Sequence, residues 1–430
     1  MKWKKIVSVI LAVCMVSGLA ACGKDSGKEE SKKTDNDSKD VELTVAIWDS
    51  NQEPGLRTIM DGFTEETGVK VDIQVTTWKD YWTMLEAAAT GGDMPDVFWM
   101  HAHQIDQYAE YDDILLDLTD YVEKSEKIKL DNYPEEISDI YIADDGRVLG
   151  VPKDVGTSAL WFNKTMFDEA GIEYPDETWT WEKFREVAKQ LTIPEKDQYG
   201  LAMKPASDQE SWCSTVYAYG GEWLSEDKTK SGFDKPETLE AMKLIEGIIQ
   251  DGSMPEYSVL SENDTVALLE SGKAAMVFLG SYMLPRLSAN DYVRENCDAA
   301  PLPVGPKGRC STNMGLAWSA SAGGEHTEEA WKLIEYLGSE KAQIQQAELG
   351  VTMSAFNGTN DKWAAYEPQF NLQVYVDALE DDVIYPYSKN TQVWYQMILD
   401  KMVSVWDGKR PMEEVCLEVA DEMNAYLAEE

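Results

Sequence analysis

Between Val41 and Met100 the apolar residues switch back and forth between two spacings, and few folds accommodate that pattern. Val41, Leu43, Val45 and Ile47 alternate with Glu42, Thr44, Ala46 and Trp48, the period of a strand, and Asp49-Ser50-Asn51 ends the run. Pro54 then opens a helix whose Leu56, Ile59, Met60 and Phe63 share a face, and Gly68 stops it. Val69, Val71, Ile73 and Val75 read as a second strand, Trp78 to Ala89 as a second helix ended by Gly91-Gly92, and Pro95 to Met100 as a third strand. Alternation of this kind predicts a mainly parallel sheet with helices on both faces, and such sheets bind ligands beyond the carboxyl ends of their strands. Those ends carry Trp48-Asp49 and Trp99-Met100-His101. His101 and His103 form an HxH pair at that edge without a third metal ligand at a convincing spacing, so hydrogen bonding to a ligand is the functional reading and exposed loop histidines the plain one.

The segment Gly150 to Gly171 organises the rest of the chain. Its extended run, Ser158 to Asn163, leads into a helix with Met166, Phe167 and Ala170, closed by Gly171. The residues before it can form their own core and further strand and helix units follow, so this segment is expected to carry the chain from one lobe to another. Asp154, Thr157 and Trp161 would then stand beside the gap. Thr180 is placed to cap a helix through Phe184, Val187, Ala188 and Leu191, with Trp179 and Trp181 read as packing residues. Leu239 to Ile249 and Val266 to Leu269 are further helical faces. Ala274 to Leu279 and Leu316 to Ala320 are apolar strands far in sequence from the sheets they would join, as expected of a chain that returns between lobes. After the loop Pro301 to Gly308, Asn313 to Ser321 is expected to lead back to the first lobe, Thr327 to cap the next helix, and the chain to cross a last time around Ala355 to Trp363.

The chain has 430 residues, 43% of them hydrophobic, enough for two domains with sizeable cores. Its net charge of -41 repels phosphate backbones and anionic lipid, which argues against a nucleic-acid role. The 15 Trp and 20 Tyr outnumber the 9 Phe. Indole and phenol offer a flat apolar face with a polar edge, which suits a sugar cleft, although rings of this kind also serve as core.

Met1 to Lys5 is lysine-rich and Ile6 to Ala21 apolar and small, too short and wrongly flanked to span a membrane, so residues 1–21 read as an export signal. Leu19-Ala20-Ala21-Cys22-Gly23 resembles the bacterial lipobox, which implies cleavage before Cys22 and lipidation of that cysteine. Residues 22–40 hold no apolar stretch to bury and read as a flexible tether. Of the remaining cysteines, Cys213, Cys297, Cys310 and Cys416, the pair Cys297 and Cys310 brackets a hairpin-like segment and is the best candidate for a disulfide, but buried free thiols are the favoured expectation.

Gly68 to Val71, Trp78 to Trp82, Gly92 to His101, Gly150 to Lys164, Trp179 to Trp181, Gly220 to Glu222 and Gly272 to Met276 occur in an order that resembles the extracellular solute-binding proteins of family 1. These are the maltose-binding-protein-like receptors of sugar importers of the ATP-binding cassette (ABC) type. The resemblance runs from about Val41 to the C-terminus. It implies an α/β periplasmic-binding-protein-like fold of two lobes, a hinge and an interlobe cleft that closes on a sugar, with no catalytic residues and no cofactor. The expected lobes are 41–153 plus 317–354, and 154–316 plus 355–430. Tyr282 matches the position where relatives carry a stacking Trp. Trp394, in Val393-Trp394-Tyr395, is similar to a late stacking residue of the family, or else a core Trp. Relatives place sugar-facing aromatics near Ser211 to Leu224, so Trp212, Tyr217, Tyr219 and Trp223 are each either ring contacts or one apolar helix face. The expected site is therefore Trp48, Trp99, Trp212, Tyr282 and Trp394 for the faces of the sugar rings, and Asp49, His101, Asp154 and Asn313 for their hydroxyls. A neutral sugar, permease subunits of the importer and the membrane, through the lipid on Cys22, are the expected partners of a monomeric receptor on the extracytoplasmic face. A surface glycoside hydrolase or lyase, or a sensor without transport, are the competing readings.

Overall fold

The computed structural model describes residues 41–111, 113–205 and 210–430. The export signal, Cys22 and the tether lie outside the described residues. Strands follow one another as β1 (Glu42–Ile47), β2 (Lys70–Val75), β3 (Val97–Met100), β4 (Val151–Pro152), β5 (Ser158–Asn163), β6 (Met276–Gly280), β7 (Cys297–Ala300), β8 (Ser311–Asn313), β9 (Ala317–Ala320) and β10 (Asp382–Ile384).

The first sheet is five-stranded, in the order β2-β1-β3-β9-β4. Its first three strands are parallel, as the alternation of helix and strand requires, with Leu43 opposite Val71 and Val45 opposite both Ile73 and Val97. The helix Glu53–Thr67 follows from its sequence: Pro54 lies in its first turn, Leu56, Ile59, Met60 and Phe63 are buried, and Gly68 ends it at φ 81° with its N–H on the Thr64 carbonyl. The helices Thr327–Gly338 and Glu340–Glu348 pack beside it, Phe63 and Tyr336 meeting at 5.6 Å. Thr327 is the first residue of its helix and not the cap.

Strand β9 departs from the parallel expectation. It pairs antiparallel with β3 and β4, with Ala317 opposite Met100, so it begins at the edge where β3 ends. A strand that enters a sheet from that edge has to run against the strands that leave by it.

The second sheet, β6-β5-β7, is antiparallel throughout its pairings. Strands β6 and β7 run the same way, joined by the helices Leu284–Ala289 and Asp291–Asn296, and β5 lies in the space between them. Every residue of β5 is buried. Thr180 caps the helix Trp181–Leu191 by accepting from the Lys183 N–H at 3.2 Å. The C-terminal helices Thr391–Trp406 and Met412–Leu427 pack on each other and on Pro236–Gln250. Cys213, Cys297, Cys310 and Cys416 are all buried and form no disulfide among the described residues, contrary to the Cys297–Cys310 candidate, and burial pushes the thiols of Cys297, Cys310 and Cys416 up to about 12.

Three connections between the sheets lie side by side. Lys153 N–H donates to the Leu316 carbonyl and Asp154 Oδ1 accepts from the Leu316 N–H, each at 2.7 Å. Asp154 also bridges to Ser354. Asn313 Oδ1 accepts from the Gly156 N–H at 2.9 Å, and its amide donates to Asp382 at 2.6 Å. The strands approach so closely that a Cβ on Gly315 would collide with the Asp154 carbonyl oxygen.

Candidate functional site

Leu43, Val45 and Ile47 of β1 are buried, and the next residue, Trp48, leaves the strand with its indole half-buried. The helix Trp78–Gly91 starts soon after β2, where the Thr77 hydroxyl accepts from the Asp80 N–H at 3.3 Å. Helical spacing then sets Trp78, Tyr81 and Trp82 on one face, and Trp48 meets all of them, its ring centroid 4.9 Å from Trp78, 4.9 Å from Tyr81 and 5.7 Å from Trp82. The Tyr81 hydroxyl donates to the Trp99 carbonyl at 2.7 Å and ties the helix to the end of β3. Trp78 keeps 43% of its surface exposed, so an indole lies open beside Trp48 and 5.1 Å from His101.

His101 follows β3 and caps the helix Ala102–Ala109, its Nδ1 accepting from the His103 N–H at 3.1 Å. A ring nitrogen that accepts carries no proton, so His101 is neutral, and burial holds its pKa down to about 3. His103 is also held well below the usual imidazole range, by burial first and by His101 second, against the Pro386 carbonyl it bonds. Its Nε2 has no partner among the described residues. With the other nitrogen donating to Pro386, Nε2 is a dry acceptor with nothing to accept from.

Rings from a distant part of the chain face His103. Tyr385, just past β10, lies 4.8 Å away and Tyr395, on the helix Thr391–Trp406, 5.4 Å away. Trp223 stands 5.8 Å from Tyr385, stacked on Trp212 at 4.6 Å and 25°, and the Trp223 indole N–H has no partner among the described residues. Tyr282, half-buried just after β6, bonds Glu210, and burial followed by that carboxylate raises its hydroxyl well above the usual phenol range. Glu210 is itself buried, 3.4 Å from the Gly280 N–H and 3.5 Å from Lys204 Nζ. A line of flat faces thus runs from Trp78 and Trp48 through His101 and His103 to Tyr385, Tyr395 and Trp223, edged by buried polar atoms that lack partners.

Of the residues named from sequence, Trp48, Asp49, His101 and Tyr282 border this line. Asp49 is half-buried, with Oδ1 accepting from the Asn51 N–H at 2.8 Å and Oδ2 from Gln52 Nε2 at 3.1 Å. Trp99 is fully buried because β3 is an interior strand covered on both faces; it lies between Trp48 at 4.8 Å and Trp318 at 6.0 Å. Trp212 is buried, stacked on the equally buried Trp223. Trp394 belongs to the buried face Thr391, Trp394, Ile398 and Met402 of its helix, its indole donating to Ser388 Oγ at 2.8 Å, and its neighbour Tyr395 is the ring turned to His103. Asp154 and Asn313 are buried in the connections, their side chains engaged there with Lys153, Leu316, Gly156 and Asp382. Sequence reasoning gave no ligand role to Trp78, Tyr385 or Tyr395, whereas it offered His103 as a ligand contact beside His101 and Trp223 as either a ring contact or part of an apolar helix face. The helical spacing of Trp78 with Trp82 could have signalled the first; Tyr385 follows a three-residue strand and leaves no periodic trace.

Residues 49–344 match the family described as bacterial extracellular solute-binding protein. The chain is similar to the multiple sugar-binding protein of Streptococcus mutans, at 24% identity over 86% of this chain and 88% of that one. It is also similar to the galactooligosaccharide-binding protein of Bacillus subtilis, at 27% identity over 79% of this chain and 78% of the other. In fold it is similar to an ABC substrate-binding protein of Listeria monocytogenes solved in complex with cycloalternan, with a TM-score of 0.82 and 22% identity over 90% of this chain and 99% of that one. The GacH receptor of Streptomyces glaucescens, solved unliganded and with acarbose, gives a TM-score of 0.80 at 19% identity over 90% and 98% of the two chains.

Proposed function

Since the chain belongs to the bacterial extracellular solute-binding proteins, we propose that it captures a neutral sugar or oligosaccharide on the line of rings from Trp78 to Trp223 and hands it to an ABC permease. The observation that carries this reading is the set of ring faces around a buried imidazole acceptor, His103 Nε2, that lacks a hydrogen-bond partner. Sugar rings present C–H faces to indole and phenol and hydroxyls to acceptors, so a saccharide satisfies both at once. The charged side chains bordering the line include the carboxylates of Asp49 and Glu210, with Lys204 beside Glu210, which disfavours an acidic or phosphorylated sugar. The named relatives are binding proteins for multiple sugars and for galactooligosaccharides, which supports the same class of ligand.

Binding would close two lobes, 41–153 plus 317–354 against 154–316 plus 355–430, about the connections where Asp154 meets Leu316 and Ser354. A ligand that touches both lobes favours the closed state, since only differential affinity shifts a hinge. Lipid on Cys22 would hold a monomeric receptor to the outer face of the membrane, with no bond of the sugar altered. Calorimetry and Trp fluorescence with a panel of neutral oligosaccharides test the reading: one site per chain with unchanged reducing-end content supports it, and silence across the panel removes it. Release of Cys22→Ser protein into the medium, against membrane retention of the unaltered chain, tests the anchor.

A further inference from the structure

Beyond the line of rings lies a cavity of about 300 Å³. Asp106, Asp139, Lys228, Tyr387, Lys389 and Glu430 are among the residues that line it. Asp106 is three residues along the helix Ala102–Ala109 from His103 and shares its face. Tyr387 follows Tyr385 by two residues. The two segments that bring His103 and Tyr385 together therefore continue into this cavity.

The wall is ordered. Lys228 has φ 58°, a conformation rarely taken by residues with a Cβ. Its turn is fixed by the Lys228 N–H on the Ser225 carbonyl at 2.8 Å and by Asp227 accepting from the hydroxyls of Ser225 at 2.6 Å and Thr229 at 2.8 Å. The Lys228 ammonium stands 3.5 Å over the Tyr387 ring. Glu430 Oε1 accepts from Ser388 Oγ at 2.7 Å and from the Asn390 N–H at 2.8 Å, which pins the chain end. Lys389 reaches Asp144, another wall residue, at 3.7 Å. Burial raises the pKa of Asp106 and lowers that of Lys228, and the Lys228 charge opposes the shift of Asp106 as Asp106 opposes that of Lys228.

We propose that this cavity is the outer end of the ligand groove and takes a further uncharged sugar unit of an oligosaccharide, so that Asp106, Lys228 and Tyr387 select for chain length. The inference rests on the sugar-binding reading above. The volume is at the lower end of the roughly 300 to 1,000 Å³ typical of small-molecule sites, which suits one ring and not a separate large ligand. Carboxylates accept from sugar hydroxyls, and the ammonium donates to their oxygens. Asp106, Asp139, Asp144 and Glu430 outnumber Lys228 and Lys389, so an anionic sugar is repelled.

The test is calorimetry on the whole mature chain with α-glucan, β-galactan, arabinan and xylan oligosaccharides, each from disaccharide to hexasaccharide. In the series that binds, affinity is expected to rise about tenfold at the length that reaches the cavity. Asp106→Asn and Lys228→Gly remove that increment and leave the shorter members within about twofold. Lys228→Gly suits the left-handed turn and so removes the ammonium without disturbing the backbone. An affinity that does not grow with length, or variants that weaken every length equally, overturns the proposal and leaves the sugar-binding reading standing. Failure of every oligosaccharide to bind overturns the sugar-binding reading itself.

Discussion

Lys153 Nζ lies 2.6 Å from Asp154 Oδ2 while its aliphatic stem and ammonium are fully buried, 4.6 Å over the Trp99 ring and 3.0 Å from Gln52 Oε1. Gln52 in turn donates to Asp49, and Asp154 accepts from Leu316, so this ion pair joins the loop at the end of β1 to the connections between the sheets. Burial raises the Asp154 pKa and the Lys153 charge opposes it.

Lys153→Met leaves Asp154 buried without its cation. The expected loss of stability is about 3–5 kcal/mol. Lys153→Met combined with Asp154→Asn recovers part of that loss, because the uncompensated charge is gone. Urea unfolding of the single and double variants measures both; equal midpoints for Lys153→Met and the unaltered protein would show that the pair contributes nothing.

Trp78 and Trp394 separate binding from packing. Trp78→Ala is expected to weaken the sugar about tenfold, roughly 1.4 kcal/mol, and to change stability by less than about 0.5 kcal/mol. Trp394→Ala empties a core position and costs about 3–5 kcal/mol of stability. Paired calorimetric and thermal measurements distinguish them, and a Trp394→Ala protein of normal stability would contradict its placement in the core.

Acid destabilises the protein through its histidines. Both His101 and His103 titrate lower in the folded chain than the usual value of 6.5, to about 3 for His101. The unfolded chain therefore binds more protons below pH 6.5, and stability present above that value is lost as pH falls. Each histidine contributes a slope of up to about 1.4 kcal/mol per pH unit over that window. Chemical unfolding between pH 7.5 and 4.5 should steepen accordingly, with a smaller slope in His103→Gln.

Asp382 works in the opposite sense. Burial lifts its carboxyl to about 6, with the Asn313 amide opposing the shift. Between its unfolded value and 6 the folded chain holds the extra proton, so this group lowers stability as pH rises through that range. Asp382→Asn should be more stable than the unaltered protein at pH 7 by about 1 kcal/mol and equal to it near pH 3.5, as followed by thermal unfolding. A variant less stable at pH 7 would show that the charged bond from Asn313 outweighs the burial.

Much of the first sheet was legible in the chain because its strands and helices follow one another and each leaves a local period. Strands β1 to β3 and their helices stand where Val41 to Met100 put them. The antiparallel entry of β9 was not legible, since its partner β3 lies more than two hundred residues earlier and nothing local sets the direction of pairing. The rings were harder. Trp394 and Tyr395 are adjacent, about 100° apart around one helix, and only the packing of that helix on its neighbours decides which turns inward. Trp99 lies one residue before the end of its strand, which marks it for a ligand, yet β3 is enclosed by β1 and β9. The HxH spacing marked His103 as a ligand contact, but the rings opposite it, Tyr385 and Tyr395, come from a distant part of the chain with no repeat to reveal them.

Strand β5 is the middle strand of its sheet and also the first stretch of chain after the Lys153–Asp154 connection. In the proposed closure, torque arriving through residues 154–157 would be delivered to the spine of that sheet and shared with both flanking strands. An edge strand would peel, whereas a central one would turn its whole sheet as a plate, so a swing at Asp154 in the proposed closure would be carried to Tyr282, just beyond the end of β6.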